Sequence, residues 1–371
     1  MDKLKAMTSF GVENYFREKY AGKRVFITGH TGFKGSWLTT WLIEIGAIVK
    51  GYSLEPVHGL NLFESLEIKG NHESKIGDIR DYERLESEVV DFEPDYVFHL
   101  AAQPLVRYSY DYPIDTYQTN VIGTGNLLMA IKKLDNPCAI VLITTDKVYL
   151  NNEWHYPYRE TDRLGGYDPY SSSKACCELL IDSFRNSYFN LNQYQYHQKA
   201  IAVARAGNVI GGGDWSRDRI IPDIVKALRS NKTVEMRNPR AVRPWQHVIE
   251  PLAGYLLLGA RLSETPCQFA KAWNFGPLLQ DNITVNKLVD HAIEIWGSGT
   301  SKDISNDKDP HEAGLLKLDI NKTLNELGWK PKFDSKEAIH LTIQWYKDFI
   351  SGQNSKDLLL KDISKYLKKA E

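Results

Sequence analysis

The chain has 371 residues, 42 % of them hydrophobic and 25 % charged, with a formal net charge of −1. That length can bury a large core and suits two lobes. The balanced charge gives no global field for nucleic acid or an anionic membrane, and no apolar run approaches a bilayer span. The opening residues 1–9 lack the apolar core of a signal peptide. The four cysteines, Cys138, Cys176, Cys177 and Cys267, have no zinc-type spacing. The expectation is a cytoplasmic protein with reduced thiols and no metal.

Residues 1–20 form an extension before the first strand, and an extra surface helix is their simplest structure. Residues 23–28 are a short apolar run that predicts the first strand. A glycine-rich turn follows, and then a helix over 36–45, with Trp37, Leu38, Trp41, Leu42 and Ile45 at helical spacing. Residues 47–52 read as a second strand. Residues 96–100 and 139–143 read as buried strands on either side of a helix at 126–133, and 200–205 as another strand. Strands alternating with helices predict an α/β fold with a parallel, doubly wound sheet. After Ala206 the texture changes, and glycines, prolines and tryptophans cluster through Trp245. Helices are expected at 284–296 and 336–350. The expected division is a dinucleotide-binding domain over 1–206 and a smaller, mainly substrate-binding lobe over 207–371. The chain is expected to return to the first domain around 244–280. The charged tail, 356–371, reads as an exposed helix or a frayed end.

Gly29-His30-Thr31-Gly32-Phe33-Lys34-Gly35 closes the first strand and opens the first helix. Gly29 and Gly32 permit a tight turn and close approach to a pyrophosphate. Gly35 lets helix pack on strand, and the helix start offers NH groups. In this strand-turn-helix context the pattern predicts a Rossmann-type dinucleotide site. Ser53 at the end of the second strand, Asp78 and Ile79, the small-residue exit Leu100-Ala101-Ala102-Gln103, and Asn120 are further candidate contacts, although each also suits a turn or cap. No arginine follows the second strand to clamp a 2′-phosphate, so NAD is favoured. Lys34 is the one residue placed to serve NADP instead.

Tyr170 and Lys174 lie four residues apart, on one helical face. The lysine ammonium would lower the phenol's pKa, and the phenolate would take a proton from an alcohol as hydride leaves its carbon. Thr145 would hold that alcohol. Asp146 and Lys147 add an acid and a base that an alcohol dehydrogenase does not need. That surplus suggests a second chemical step.

Taken with the glycine loop, these residues resemble the extended short-chain dehydrogenase/reductase family, the NAD-dependent epimerases and dehydratases. Longer segments narrow the resemblance to its CDP-glucose 4,6-dehydratases. These are 29–37, 101–107, 145–149, 165–171, 205–215, 243–247, 274–277 and 311–313, spread over most of the chain. The resemblance implies a redox-neutral dehydration in deoxysugar and polysaccharide biosynthesis. It makes Asp146 the acid at C6 and Lys147, in its uncharged form, the base at C5. Where relatives acting on TDP-glucose carry Glu, this chain has Lys147. Val148 and Leu150 depart from the family's usual residues beside the site. By resemblance and residue type, Asn208, Arg219, Arg243 and His247 are the candidates for a nucleoside diphosphate. Gln103 and Arg107 are candidates for the sugar or diphosphate, although Arg107 also suits a surface salt bridge. The 211–213 glycines offer bare backbone to the ligand, and Trp215 or Trp245 could flank the base or simply pack. The expected partner is CDP-glucose or a related nucleotide sugar, and the expected assembly a homo-oligomer. A 4-epimerase, a dehydratase of another nucleotide sugar and a non-catalytic nucleotide-binding protein are the alternatives.

Overall fold

The computed structural model describes residues 9–56, 59–68, 70, 72–306 and 315–369. Its centre is a seven-stranded sheet in which every strand runs parallel to its neighbours. The strands are β1 (Arg24–Thr28), β2 (Ile48–Ser53), β3 (His72–Ile76), β4 (Tyr96–His99), β5 (Cys138–Thr145), β6 (Lys199–Ala206) and β7 (Ala272–Phe275). Their order across the sheet is β7-β6-β5-β4-β1-β2-β3. The chain therefore starts near the middle, winds out to β3 and returns through β4 to the other edge. The reversal lies between β1 and β4, where a doubly wound sheet opens a crevice beyond its C-terminal strand ends. The expected fold class is the one observed. Two strands were not foreseen. β3 is a polar edge strand without an apolar run, and β7 has only four residues.

β5 and β6 are buried along their full length, which is why they read as unbroken apolar runs. Strand alternation divides their side chains between two faces. Ala139, Val141 and Ile143 meet Trp37, Trp41 and Tyr255, while Ile140 and Leu142 meet Leu127, Ile131 and Ile181. The principal helices are α1 (Ser9–Tyr20), α2 (Phe33–Glu44), α3 (Tyr82–Phe92), α4 (Gly123–Lys132), α5 (Pro169–Ser187), α6 (Ile220–Arg229), α7 (Ile249–Glu264), α8 (Val285–Trp296), α9 (Ser335–Ile350) and α10 (Ser355–Lys368). α2 and α7 cover the first face, and α3, α4 and α5 cover the second. None of the described helices is long and apolar enough to cross a membrane.

The first face's apolar cluster runs on into the residues beyond 206, including Ile221, Ile224, Met236, Trp329 and Trp345. Two contacts fasten this seam. The Trp37 indole donates to the Gly212 carbonyl at 3.0 Å. A Cβ on Gly212 would lie 2.0 Å from the Trp345 ring, so no larger residue fits there. Of the 211–213 glycines, expected to bare their backbone to a ligand, only Gly211 lines the main cavity; Gly212 and Gly213 make room for Trp345 and Leu62.

The tail also departs from expectation. α10 is docked, with Leu358, Leu359, Ile363, Tyr366 and Leu367 buried. Tyr366 meets Trp41 and Phe333 edge-on. The lysines hide an apolar stripe at helical spacing, and Asn354 caps the helix by accepting from the Lys356 and Asp357 amides. α1 packs beside α10 and α7, and the N-terminal extension adds Phe16 and Tyr20 to the core. Residues 1–8 and 311–313 lie outside the described residues. Leu359→Ala should cost about 2–5 kcal/mol of unfolding free energy, the range for emptying a fully packed leucine site. The check is chemical denaturation, and an unmoved midpoint would mean that α10 is not docked.

Candidate active site

The crevice at the strand-order reversal continues into a cavity of about 950 Å³. One arm is built by the turn after β1. A Cβ on Gly29 would lie 2.6 Å from the Ala101 amide nitrogen, and one on Gly35 would lie 2.0 Å from the Gly29 carbonyl oxygen. Both positions thus require glycine, the first to pass under the chain leaving β4 and the second to close helix onto turn. Gly32 begins α2 with no side-chain cap, so the first amides of that helix offer their hydrogens and positive potential to an anion. Thr31, Gly32, Phe33, Ser53, Asp78, Ile79, Leu100, Ala101 and Ala102 line this arm. The Thr31 and Ser53 hydroxyls are linked at 2.8 Å. Uncapped amides, a glycine turn and a small-residue wall fit a dinucleotide pyrophosphate.

The reaction end lies where β5 stops and α5 starts. Asp168 caps α5 by accepting from the Ser171 amide at 2.9 Å and its hydroxyl at 2.6 Å. Pro169 then begins the helix, which presents Tyr170 and Lys174 on the cavity side. From β5, Thr145 donates to Asp146 Oδ1 at 3.0 Å and accepts from the Lys147 amide at 3.3 Å. The structure thus brings Thr145, Asp146, Lys147, Tyr170 and Lys174 to one wall. Asp146 is buried, and its Oδ2 has no hydrogen-bond partner among the described residues. Burial raises its carboxyl pKa, against the pull of Lys147, Thr145 and Arg243. Burial also pushes the Tyr170 phenol up to about 12, although Arg219 and the Thr145 hydroxyl oppose it. The expected lowering by Lys174 is not seen: desolvation dominates, and the positive charge that opposes it is that of Arg219. Lys174 is itself shifted down by burial, with Cys177 and Glu178 opposing.

Lys34 was the candidate for a 2′-phosphate. Its ammonium instead sits 5.9 Å from the Tyr255 ring and feels Arg219, Lys174 and Asp146. Burial, reinforced by the first two, holds its pKa down to about 7. It belongs to the reaction end, not to the ribose end beside Ser53.

Arg107, Asn208, Arg219 and Arg243 line the cavity's other arm, as does Trp245. Trp215 packs against Tyr346 and Phe349 instead. Four expected contacts do not line the cavity, each for a packing reason. His30 is wedged under β2, with its Nε2 2.7 Å from Ser74 Oγ, and a Cβ on Gly51 would strike its ring. The Gln103 amide side chain folds its own turn by donating to Thr116 Oγ1 and accepting from the Leu105 amide. Asn120, in a π-helical turn, donates to Ser173 Oγ at 2.8 Å and accepts from the Gln103 amide at 2.8 Å. His247 is fully buried edge-on between Trp37 and Phe333.

A family model described as GDP-mannose 4,6 dehydratase matches residues 26–342. The chain belongs to this family. It is 49 % identical to the CDP-glucose 4,6-dehydratase of Salmonella typhimurium, over 94 % of this chain and 97 % of that one. It is 26 % identical to the CDP-paratose 2-epimerase of Salmonella typhi, over 87 % and 98 %. Among solved structures, dTDP-glucose 4,6-dehydratase from Bacillus anthracis in complex with NAD superposes with a TM-score of 0.73 at 23 % identity, over 91 % of this chain and 100 % of that one. That likeness is one of fold.

Some cavity residues of this family member escaped the sequence reading. Arg237 and Asp223 face each other at 3.5 Å in the nucleotide arm, but they come from separate elements and no motif joins them. Thr144, next to Thr145, also borders the cavity. One consequence concerns stability. The Asp146 carboxyl has a folded pKa above its unfolded one, so its cost to folding is absent below the ordinary carboxylate range. That cost grows as pH rises through the folded value. Asp146→Asn should therefore raise the melting temperature at pH 8 more than at pH 4. An equal difference at both pH values would refute the upward shift of this carboxyl.

Proposed function

We propose that the protein converts CDP-D-glucose to CDP-4-keto-6-deoxy-D-glucose and water. The observation that carries the proposal is the single wall on which Tyr170 and Thr145 stand beside Asp146, whose second carboxyl oxygen is unpartnered. An epimerase needs the first two residues and has no use for the third. The nucleotide and sugar are supported by the 49 % identity with a CDP-glucose 4,6-dehydratase.

The Gly29–Gly35 turn and the first amides of α2 would hold NAD, which would supply a reversible hydride acceptor for the chemistry at C4 and C6. The protein's own groups do the rest. Thr145 orients the 4-hydroxyl, and Tyr170, in its phenolate form, takes that hydroxyl's proton. Arg219 and the Thr145 hydroxyl favour the phenolate, against the desolvation that opposes it. Lys174 supplies further positive charge on the same helical face. The new ketone acidifies C5, and Lys147 removes the C5 proton. Asp146, whose carboxyl burial shifts toward its protonated form, gives a proton to the departing C6 hydroxyl, so that a neutral water leaves. Arg219 and Arg243 pair with the diphosphate, Asn208 and Arg107 complete that arm, and residues 207–371 mainly form the substrate lobe.

Two further readings attach to this one. Exposed Ile114, in the short helix Pro113–Tyr117 that Tyr112 precedes, and exposed Leu179 of α5 lie on adjoining helices, and we read that face as the contact between copies of the chain. A monomer in sedimentation would overturn that reading. The free thiols agree with a cytoplasmic protein.

Mass spectrometry of the product from CDP-glucose, with NAD present, should show loss of one water, and in heavy water deuterium should enter C5. An isomer of unchanged mass would make the protein an epimerase. Tyr170→Phe should lower turnover about 10²–10⁴-fold by removing the C4 base; normal turnover would exclude the assigned role. Asp146→Asn should let an oxidised, undehydrated sugar accumulate, whereas equal slowing of both steps would place the acid elsewhere.

A further inference from the structure

Tyr149, Arg205 and Asn274 belong to the sequence motifs and have no part in the chemistry. The structure links them in a chain that ends on a residue no motif contained, Glu178. It lies one turn beyond Lys174, on the face of α5 turned to the sheet, and is buried. Its Oε1 accepts from Thr144 Oγ1 at 2.7 Å and from Arg205 Nε at 2.8 Å. Its Oε2 accepts from Arg205 Nε at 3.0 Å and also from Nη2. Arg205 Nη1 reaches across to donate to the Tyr149 hydroxyl at 2.7 Å, and that hydroxyl donates to Asn274 Oδ1 at 2.7 Å.

The placement of these bonds matters more than their number. Thr144 immediately precedes Thr145, and Tyr149 is two residues past Lys147. The short turn carrying the acid and the base is thus gripped at both ends by a network rooted in the helix that carries Tyr170. We propose that Glu178 is a positioning residue, which keeps the Thr145–Asp146–Lys147 turn in register with Tyr170 so that oxidation at C4 and elimination across C5 and C6 act on one pose of the sugar. The inference rests on the dehydratase reading above. It adds a prediction about coupling that a merely structural ion pair would not make: loosening the grip harms the second step more than the first.

Glu178→Gln strips a buried arginine of its counter-charge and endangers the fold, so the test uses Thr144→Val. This change removes one grip and leaves the Glu178–Arg205 pair intact. With the full chain, NAD and CDP-glucose, rapid quenching and mass spectrometry follow the 4-keto sugar before and after loss of water. A loosened turn at a reacting centre should cut turnover about tenfold, with KM for CDP-glucose within about twofold. The undehydrated 4-keto sugar should accumulate, the melting temperature should hardly move, and Thr144→Ser should restore the coupling. An unchanged ratio of the two sugars in Thr144→Val, or equal failure of Ser and Val, would overturn the role of Glu178 while leaving the dehydratase reading in place. If the unsubstituted protein dehydrated no nucleotide sugar, both would fall together.

Discussion

The ion pair of Glu178 and Arg205 ties α5 to β6 beneath the reaction end. It lies between α5 and the sheet, with both side chains almost wholly out of water. Burying two charges is costly, and the cost is offset only when geometry is good and the remaining hydrogen-bonding capacity is used. Both conditions are met. Every nitrogen of the Arg205 guanidinium donates, to Glu178, to Tyr149 or to the Glu160 carbonyl, and its plane lies over the Tyr149 ring at 4.9 Å. An apolar pair of similar volume would pack the same space, but it would not forbid the helix from sliding along the sheet. A directional pair does forbid it, and that register decides whether Tyr170 and Asp146 meet the same substrate.

A second constraint acts at the cofactor arm, where backbone meets backbone. β1 and β4 are neighbours, and their outgoing chains pass so closely at Gly29 and Ala101 that a methyl group would collide. The close approach leaves room for a flat, charged ligand above the strand ends. It also explains why small residues continue through Ala102. The register set by Glu178 and the clearance set by Gly29 act at opposite ends of the same crevice, and the sheet between them transmits position rigidly because both its faces are covered.

The parts of this arrangement that could be read from the sequence are those in which chemistry and geometry are local. Gly29, Gly32 and Gly35 act through one turn, and Tyr170 and Lys174 through one turn of helix, so spacing converts directly into placement. The strands β5 and β6 were legible because burial on both faces leaves no polar residue to break the run. His30, Asn120 and His247 were misplaced because a buried polar side chain can face a ligand or a structural partner, and only the tertiary neighbours decide. Glu178, Arg237 and Asp223 carried no local signal at all, since their partners arrive from distant parts of the chain. In α10, the density of lysines obscured an apolar stripe that the packing makes plain.

The same contrast explains where stability is spent in this protein. Arg219 and Lys174 both press positive charge on Lys34, and among the described residues the Lys174 ammonium makes a long contact, 3.4 Å, to the Ile143 carbonyl. Asp146 is desolvated beside them with one oxygen unpaired. A cluster of this kind opposes folding, and the surrounding scaffold must be stiff enough to hold it. The stiffness comes from elements that touch no substrate: the Trp37–Gly212 seam, the docked α10 and the Glu178–Arg205 pair. A negative charge brought close to Arg219 would relieve the repulsion it exerts on Lys34, so part of the electrostatic cost is returned when an anion binds. The rigid frame and the unsatisfied site are therefore two sides of one arrangement, and relaxing either would weaken the other.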